Sequence, residues 1–138
     1  MFIELGRHPH LGDGLPNKEL AFKYFKESLN KADFMEENAF KEAFFKIGQY
    51  YQFGFGKVQK NLQSAIRHYD SASSDGHVES MNALGSLFFN ELKEYDQAAV
   101  WYKQAAERGF TRAINNLGIC YEFGYGVDKD WDQAFRLY

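Results

Sequence analysis

The sequence predicts an all-α solenoid, a fold in which helix pairs stack on one another, and three observations lead to this class. A pattern of residue types in residues 43–69 returns in residues 113–138, with Lys57 as one extra residue in the earlier copy. Apolar side chains recur at the i, i+4, i+8 spacing of a helix edge. The copies follow one another at an underlying period of roughly 36 residues, which is typical of helix-pair repeats. A chain of 138 residues holds three to four such pairs.

The two strong copies match at positions that are spread over a whole repeat. In chain order the matched positions are Ala43, Ile47, Gly48, Tyr51, Gly54, Gly56, Val58, Asn61, Ala65 and Tyr69 in the first, and Ala113, Leu117, Gly118, Tyr121, Gly124, Gly126, Val127, Asp130, Ala134 and Tyr138 in the second. Agreement of residue type at so many offsets is hard to obtain by chance. We therefore treat the chain as a repeat protein.

The pattern divides the chain into four copies of unequal quality. Residues 39–76 form one repeat, and residues 77–109 form a shortened repeat that lacks the Gly-x-Gly turn. Residues 110–138 form a repeat that is truncated in its second helix, and residues 1–32 carry a degenerate copy. Residues 1–138 are thus expected to make a single solenoid.

The whole pattern resembles the Sel1-like repeat (SLR) family, whose members are α-helical solenoids related to tetratricopeptide repeats. The family signature is Ala, Leu-Gly, Tyr, Gly-x-Gly-Val, Asp, Ala, Trp-Tyr, Ala-Ala and a closing Gly. Residues 43–138 match it well and residues 5–32 match it faintly, with Pro9 where the family has an aromatic residue. The resemblance implies a right-handed α/α superhelix that serves as a protein-binding scaffold. It implies no particular partner.

Composition and charge argue against several other classes of protein. The chain is 45% apolar and 18% aromatic, and its net charge of −3 does not fit the basic face typical of nucleic-acid binding. The same charge argues against a polybasic membrane anchor, and no run of about 18 apolar residues predicts a membrane span. The absence of a secretory signal and the single cysteine favour a cytoplasmic location. Because an expected helix is cut at each end, the sequence is also consistent with a fragment of a longer protein.

The first part of the chain is expected to be less regular than the rest. Residues 1–16 hold both prolines and several glycines, which is typical of irregular structure or a distorted cap. Asn17 fits the N-cap of a helix that runs to about residue 30. Residues 31–41 are a polar connection or an early extension of the next helix, and the sequence leaves both open.

The first strong copy predicts a helix over residues 39–53 and a second helix after it. Gly48 lies in the middle of the first helix, where glycine costs roughly 1 kcal/mol relative to alanine, so we expect a neighbouring helix to approach closely there. Gly54 and Gly56 are expected to end the helix with positive φ angles. Asn61 is expected to cap the second helix. The later copies predict further helices over residues 78–90, 94–108, 111–123 and 130–138.

The sequence offers little support for reactive chemistry. Residues 54–56 are not followed by the Gly-Lys-Ser/Thr run of a phosphate-binding loop, and a helix rather than a strand precedes them, so no cofactor is expected. His8 and His10 are two ligands in an irregular terminus and do not define a metal site. His68 replaces the family tryptophan, which packing explains. Cys120 lies on a packed helical edge and is expected to be a buried, unreactive thiol, so we predict no catalytic residues and no enzyme.

The residues that the repeat pattern leaves over are the candidate site. They lie opposite the packed edge of each first helix on a 100° helical wheel, and in related solenoids the first helices line the concave surface. The candidate partner-binding residues are Phe45, Gln49, Gln52, Asn82, Ser86, Phe89, Asn115, Ile119 and Glu122. Three of them are apolar at positions expected to be exposed, which is a mild sign of an interaction surface. The alternative is that the aromatic ones pack on neighbouring helices.

Three functional hypotheses follow. The first is a non-catalytic adaptor that binds a protein or peptide segment on its concave helical surface, without nucleic acid or membrane insertion. The second is a structural segment of a larger protein or assembly, which stacks or self-associates through its open repeat ends. The third is an enzyme, since cysteine-rich bacterial relatives have been linked to β-lactam recognition. Those relatives have paired cysteines in each repeat and this chain has one, so the third hypothesis is set aside.

Overall fold

The computed structural model describes residues 22–23, 26–27 and 37–138, and within these ranges the regular structure is entirely helical. The predicted irregular segment 1–16, the Asn17 cap, most of the first predicted helix and the connection before residue 37 lie outside the described residues. The complete helices are α1 (Glu37–Phe53), α2 (Leu62–Ser74), α3 (Val78–Ser86) with a π-helical continuation (Leu87–Glu91), α4 (Tyr95–Glu107), α5 (Thr111–Phe123) and α6 (Trp131–Leu137). The all-α fold class is thereby confirmed.

The chain forms two compact units, Met1–Asp75 and Gly76–Tyr138. In the first unit α1 packs against α2, and Ile47, Ala65 and Tyr69 are completely buried. The side chain of Asn61 accepts a hydrogen bond of 3.1 Å from the backbone N–H of Ser64, so Asn61 is the N-cap of α2 as predicted.

In the second unit α3 packs on α4, α4 on α5, and α5 on α6. Two clusters of buried side chains hold these helices together. One contains Ala98, Tyr102, Leu117 and Cys120, and the other contains Met81, Ala105 and Ala113. Small alanines alternate with large side chains in both clusters, which lets neighbouring helices lie close together.

Each of the three connections within a helix pair that the structure describes is closed by the same backbone hydrogen bond. The N–H of the residue before the second helix donates to the carbonyl of an aromatic residue near the end of the first helix. The pairs are Asn61 to Tyr51, Glu94 to Phe88 and Asp130 to Tyr121, all at 2.8 Å. These bonds satisfy carbonyl groups that the end of a helix leaves unpaired.

The shortened repeat reaches the same closure without glycines. Gly54 and Gly56 end α1 with φ angles of 68° and 60°, whereas after α3 the helix widens into the π-helical turn Leu87–Glu91. Lys93 then adopts a φ of 58°. The predicted helix over residues 78–90 is thus α-helical only to Ser86. A π-turn followed by one left-handed residue replaces the Gly-x-Gly turn.

No helix among the described residues is both long enough and apolar enough to cross a membrane.

Candidate functional site

The structure corrects the expected exposure of two candidate residues, Phe45 and Gln52. Each exposes only 7% of its surface, although the helical wheel predicts both to face solvent. The ring of Phe45 lies 5.9 Å from that of Tyr69, measured between centroids, and the Gln52 carboxamide oxygen accepts a 2.6 Å hydrogen bond from the Tyr69 hydroxyl. In the first unit the half-buried Gln49 is the candidate that retains partial exposure.

The physical reason is a tyrosine that reaches across the first helix of each pair. Tyr69, Tyr102 and Tyr138 pass over the mid-helix glycines, and their hydroxyl groups meet residues that the wheel places on the free side. The hydroxyl of Tyr102 lies 3.2 Å from the Ser86 hydroxyl. The hydroxyl of Tyr138 donates to a Glu122 carboxylate oxygen. Gln52, Ser86 and Glu122 therefore each bind a tyrosine of the same repeat.

Two tyrosines of the second unit have raised pKa values, for different reasons. The hydrogen bond with Glu122, aided by burial and by the charge of that carboxylate, raises the pKa of Tyr138 to about 12. Burial raises the pKa of Tyr102. Both phenols are neutral at physiological pH, so they position side chains rather than supply charge.

In the second unit the free sides of α3 and α5 meet in a shallow pocket of about 140 Å³. It contains three candidate residues, which the sequence places in different repeats and the fold brings together. The lining consists of Ser86, Phe89, Asn90, Tyr102, Asn116 and Ile119.

An amide pair joins α3 to α5 beside this pocket. The Asn116 side-chain amide donates a 3.1 Å hydrogen bond to the carboxamide oxygen of Asn82. Each carboxamide offers two N–H donors and one carbonyl acceptor, so one mutual bond leaves capacity for further hydrogen bonds. A peptide backbone presents the complementary groups, one donor and one acceptor per residue.

Phe89 and Ile119 provide the apolar part of the pocket, but they differ in role. The ring of Phe89 lies 4.9 Å from the rings of both Tyr95 and Tyr125 and 6.5 Å from that of Tyr102. The packing alternative considered for the aromatic candidates therefore applies to Phe89 as well as to Phe45. Ile119 is 39% exposed on the surface of α5, and Asn115 is exposed beside it.

Sequence reasoning missed Asn90, Asn116 and Tyr102. The wheel assigns Asn116 to the flank of α5, and only the adjacent α3 turns that flank into a pocket wall. A signal was present in the pattern, because Asn82 lies between the matched positions Ser80 and Leu84, and Asn116 lies between Ala113 and Leu117.

The structure confirms that Cys120 is a buried thiol. Burial raises its pKa to about 11, so the nucleophilic thiolate is rare at neutral pH. A second group that resembles catalytic chemistry is the contact of His77 with Ser80, where Nδ1 lies 2.7 Å from the hydroxyl. Here His77 is the N-cap of α3 and accepts from the Ser80 backbone N–H at 3.3 Å, and Ser80 is completely buried. The pair is structural.

Comparison with protein families decides the classification. The model of the Sel1 repeat matches residues 3–33, 42–77, 78–110 and 111–138, which is nearly the whole chain. The chain belongs to the Sel1 repeat family. Among solved structures, a Sel1 repeat protein from Oxalobacter formigenes is 29% identical with a TM-score of 0.74, over 99% of this chain and 54% of that one. The c5321 protective antigen of uropathogenic Escherichia coli, which has an SLR fold, is 24% identical with a TM-score of 0.74, over 99% and 29%, and shows the fold alone.

Curated Sel1 relatives match about half to two thirds of this chain. The ERAD-associated E3 ubiquitin-protein ligase component HRD3 of Candida glabrata is 35% identical over 74 residues, 54% of this chain and 9% of that protein. The DAP3-binding cell death enhancer 1 of Rattus norvegicus is 35% identical over 77 residues, 55% and 15%. The chitin synthase regulator SKT5 of Saccharomyces cerevisiae is 26% identical over 97 residues, 67% and 14%. This chain thus spans a small part of each of these relatives.

Proposed function

We propose that this Sel1 repeat chain is a non-catalytic adaptor that binds a segment of another protein on the face formed by α3 and α5, which we expect to be concave. The observation that carries the proposal is the pocket lined by Asn116, Phe89 and Ile119, with Asn82 hydrogen-bonded to Asn116 at its side. Amides that can hydrogen-bond a peptide backbone, next to apolar side chains, suit recognition of an extended segment. The names of the relatives, a ligase component, a binding protein and a regulator, fit this role.

The proposed contact surface is smaller than the sequence predicts. It comprises Asn82, Ser86, Phe89, Asn115, Ile119 and Glu122, all in the second unit. Gln49 remains a separate candidate in the first unit. Phe45 and Gln52 are left out because they are buried. The lining offers amide, hydroxyl and apolar groups, which bind rather than react.

A pull-down from a matched cell extract tests this proposal with two variants of equal chemistry. Ile119→Glu places a charge on the proposed face, where Ile119 is 39% exposed. Val100→Glu makes the same kind of change on α4, where Val100 is 53% exposed and lies outside the pocket lining. We expect a partner that binds wild type and Val100→Glu but not Ile119→Glu. A partner retained by a folded Ile119→Glu variant would contradict the assignment of the face.

A second candidate function is supported by the aromatic surface of α6. Trp131 and Phe135 are exposed there, with ring centroids 6.2 Å apart. At the position equivalent to Trp131, Tyr95 is covered by Tyr125 of the following repeat, with centroids 4.8 Å apart. A further helix pair stacked on α6 would cover its rings in the same way, so the chain would be one segment of a longer array or assembly.

Sedimentation velocity distinguishes the two functions. The stacking function predicts that wild type associates as its concentration rises and that a Trp131→Ser, Phe135→Ser variant stays monomeric. The adaptor function predicts that the wild-type chain stays monomeric at all concentrations. It also predicts that the Ile119→Glu variant no longer binds the partner.

A further inference from the structure

The first unit contains a large open cavity beside the start of α2. Its volume is about 730 Å³, and it is lined by Phe22, Lys23, Tyr51, Lys57, Val58, Gln59, Lys60 and Asn61. This volume lies in the range of roughly 300–1,000 Å³ that is typical of ligand-binding pockets. The lining includes Lys57, which is the one extra residue of the copy in residues 43–69 relative to the copy in residues 113–138.

The described lining of this cavity contains cationic side chains and no acidic ones. Residues 43–69 contain four cationic side chains, Lys46, Lys57, Lys60 and Arg67, and no Asp or Glu. Lys23 adds a further cation to the lining, whereas the chain has a net charge of −3. A concave surface with one sign of charge attracts ligands of the opposite sign.

An aromatic pair forms the apolar part of the cavity. The ring of Phe22 lies edge-on to that of Tyr51, with centroids 5.4 Å apart. The Lys26 ammonium lies 5.6 Å from the centroid of Phe22 and 6.0 Å from that of Tyr51, and it donates to the Tyr51 hydroxyl at 3.5 Å. A ligand therefore meets aromatic surface and cationic groups within the same cavity.

His68 lies beside this aromatic pair. Its ring lies 5.4 Å from that of Tyr51, and its Nδ1 donates to the Ser64 carbonyl at 2.7 Å. Burial lowers the pKa of His68, and the charges of Lys26 and Arg67 lower it further, against the opposing effect of the Ser64 hydrogen bond. A positive charge on the His68 ring is thus disfavoured, mainly by burial and in part by these two cations.

We propose that this cavity binds an acidic segment of a partner protein, with side-chain carboxylates at Lys23 and Lys57 and an apolar or aromatic side chain against Phe22 and Tyr51. Separate flexible ammonium groups around an aromatic surface suit a segment with several carboxylates. A compact anion such as phosphate would use the lysines but not the rings. The site is independent of the face formed by α3 and α5, since none of its residues belongs to that face.

Fluorescence anisotropy with defined peptides tests this inference. The probe is a fluorescein-labelled peptide that repeats Glu-Glu-Phe three times, and the neutral control repeats Gln-Gln-Phe three times. We expect the acidic peptide to bind and the neutral one not to bind. Raising the salt concentration from about 50 mM to about 300 mM should weaken binding severalfold, because salt screens exposed charges. Equal binding of the two peptides, or no binding of the acidic one, would overturn the proposal.

Two variants with the same change in net charge locate the site. Lys23→Glu with Lys57→Glu reverses two charges in the cavity lining, and we expect the acidic peptide to bind at least about tenfold more weakly, which corresponds to about 1.4 kcal/mol. Lys103→Glu with Arg112→Glu reverses two exposed charges of the second unit, outside the cavity, and should change binding less than twofold. Equal losses in both variants would show a general charge effect and would refute the site. Far-ultraviolet circular dichroism confirms that both variants fold.

Competition identifies the chemistry of the occupant. Unlabelled Glu-Glu-Phe peptide should displace the probe, whereas inorganic phosphate and a short oligothymidylate should displace it far less at the same concentration. If phosphate or the oligothymidylate displaced the probe more strongly than the unlabelled Glu-Glu-Phe peptide does, the assignment to an acidic protein segment would be overturned. The Ile119→Glu variant should bind the probe as wild type does, so failure of the proposed function and failure of this inference give different results.

Discussion

A Cβ atom on Gly85 would lie 2.6 Å from two ring carbons of Tyr102. Gly85 is in α3 and Tyr102 is in α4, so this glycine allows the two helices of the repeat to approach until the ring rests on the backbone. The same relationship joins Gly48 to Tyr69 and Gly118 to Tyr138, at 2.7 Å in each case. The mid-helix glycine and the tyrosine of the second helix are therefore one packing unit, repeated in every pair that the structure describes.

Gly85→Ala should destabilise the protein by about 1–3 kcal/mol, because the added methyl group overpacks a buried contact. In an exposed helix the same change would stabilise by about 1 kcal/mol through helix propensity, so the sign separates the two effects. Urea denaturation measures the free energy of unfolding. Asn115→Ala on the exposed side of α5 is the control, which we expect to be neutral or slightly stabilising. A Gly85→Ala variant as stable as wild type would contradict the packing unit.

Part of this unit could be predicted from sequence. A glycine inside a helical pattern indicates close approach of another helix, and Gly48 illustrates that prediction and its confirmation. The identity of the approaching group could not be predicted, because a helical wheel describes one helix and contains no information on the reach of a side chain from the next. For this reason Gln52 was expected at the surface and is instead buried beneath the hydroxyl of Tyr69.

The candidate site shows the same limit in another form. The helical wheel correctly predicts that Ile119 and Asn115 are exposed to solvent, because exposure on the outer side of α5 depends mainly on that helix. It could not identify the pair of Asn82 with Asn116, which are 34 residues apart in the chain and meet only when α3 lies beside α5. The aromatic cluster around Phe89 likewise depends on Tyr125, which lies in the connection between α5 and α6 of the following repeat.

Gly126→Ala should be among the most damaging single changes in the second unit. A Cβ atom there would overlap the carbonyl of Tyr95, lying 2.6 Å from the carbonyl carbon, and backbone cannot move aside as a side chain can. We expect a loss of about 3 kcal/mol or more in the free energy of unfolding, from this overlap together with the strain of a φ of 70°. Thermal and urea denaturation both measure it.

Gly109→Ala is the matched control for that experiment. Gly109 also has a positive φ, 83°, but a Cβ atom there meets nothing within 4 Å. The Gly109→Ala variant should lose only the free energy of unfolding that an alanine with a positive φ costs, about 1–2 kcal/mol. Equal losses at Gly109 and Gly126 would show that backbone strain, and not contact with Tyr95, explains the glycine.

His68 should titrate below the ordinary histidine pKa of 6.5. Because the folded pKa is lowered, the unfolded chain binds the proton more readily, so the stability that depends on neutral His68 is complete above pH 6.5 and is lost as the pH falls from there through the lowered value. Titration of the imidazole proton resonances by nuclear magnetic resonance gives the pKa directly. Lys26→Gln should raise the pKa of His68 by removing a nearby positive charge, whereas Lys103→Gln in α4 should leave it unchanged. An unchanged pKa in Lys26→Gln would contradict the positive field at this ring.

The hydrogen bond between Tyr69 and Gln52 should stabilise the fold and should have no part in partner binding. A double-mutant cycle measures its contribution to the free energy of unfolding, and a pull-down with the same variants measures partner binding. Tyr69→Phe removes the donor and leaves the buried Gln52 carboxamide without this partner, so we expect a loss of about 1–3 kcal/mol in the free energy of unfolding. Gln52→Leu in the same chain removes the stranded polar group, and the double variant should be more stable than Tyr69→Phe alone. The folded double variant should capture the same partner as wild type, since Gln52 is a packing residue. Loss of the partner in that variant would return Gln52 to the binding surface.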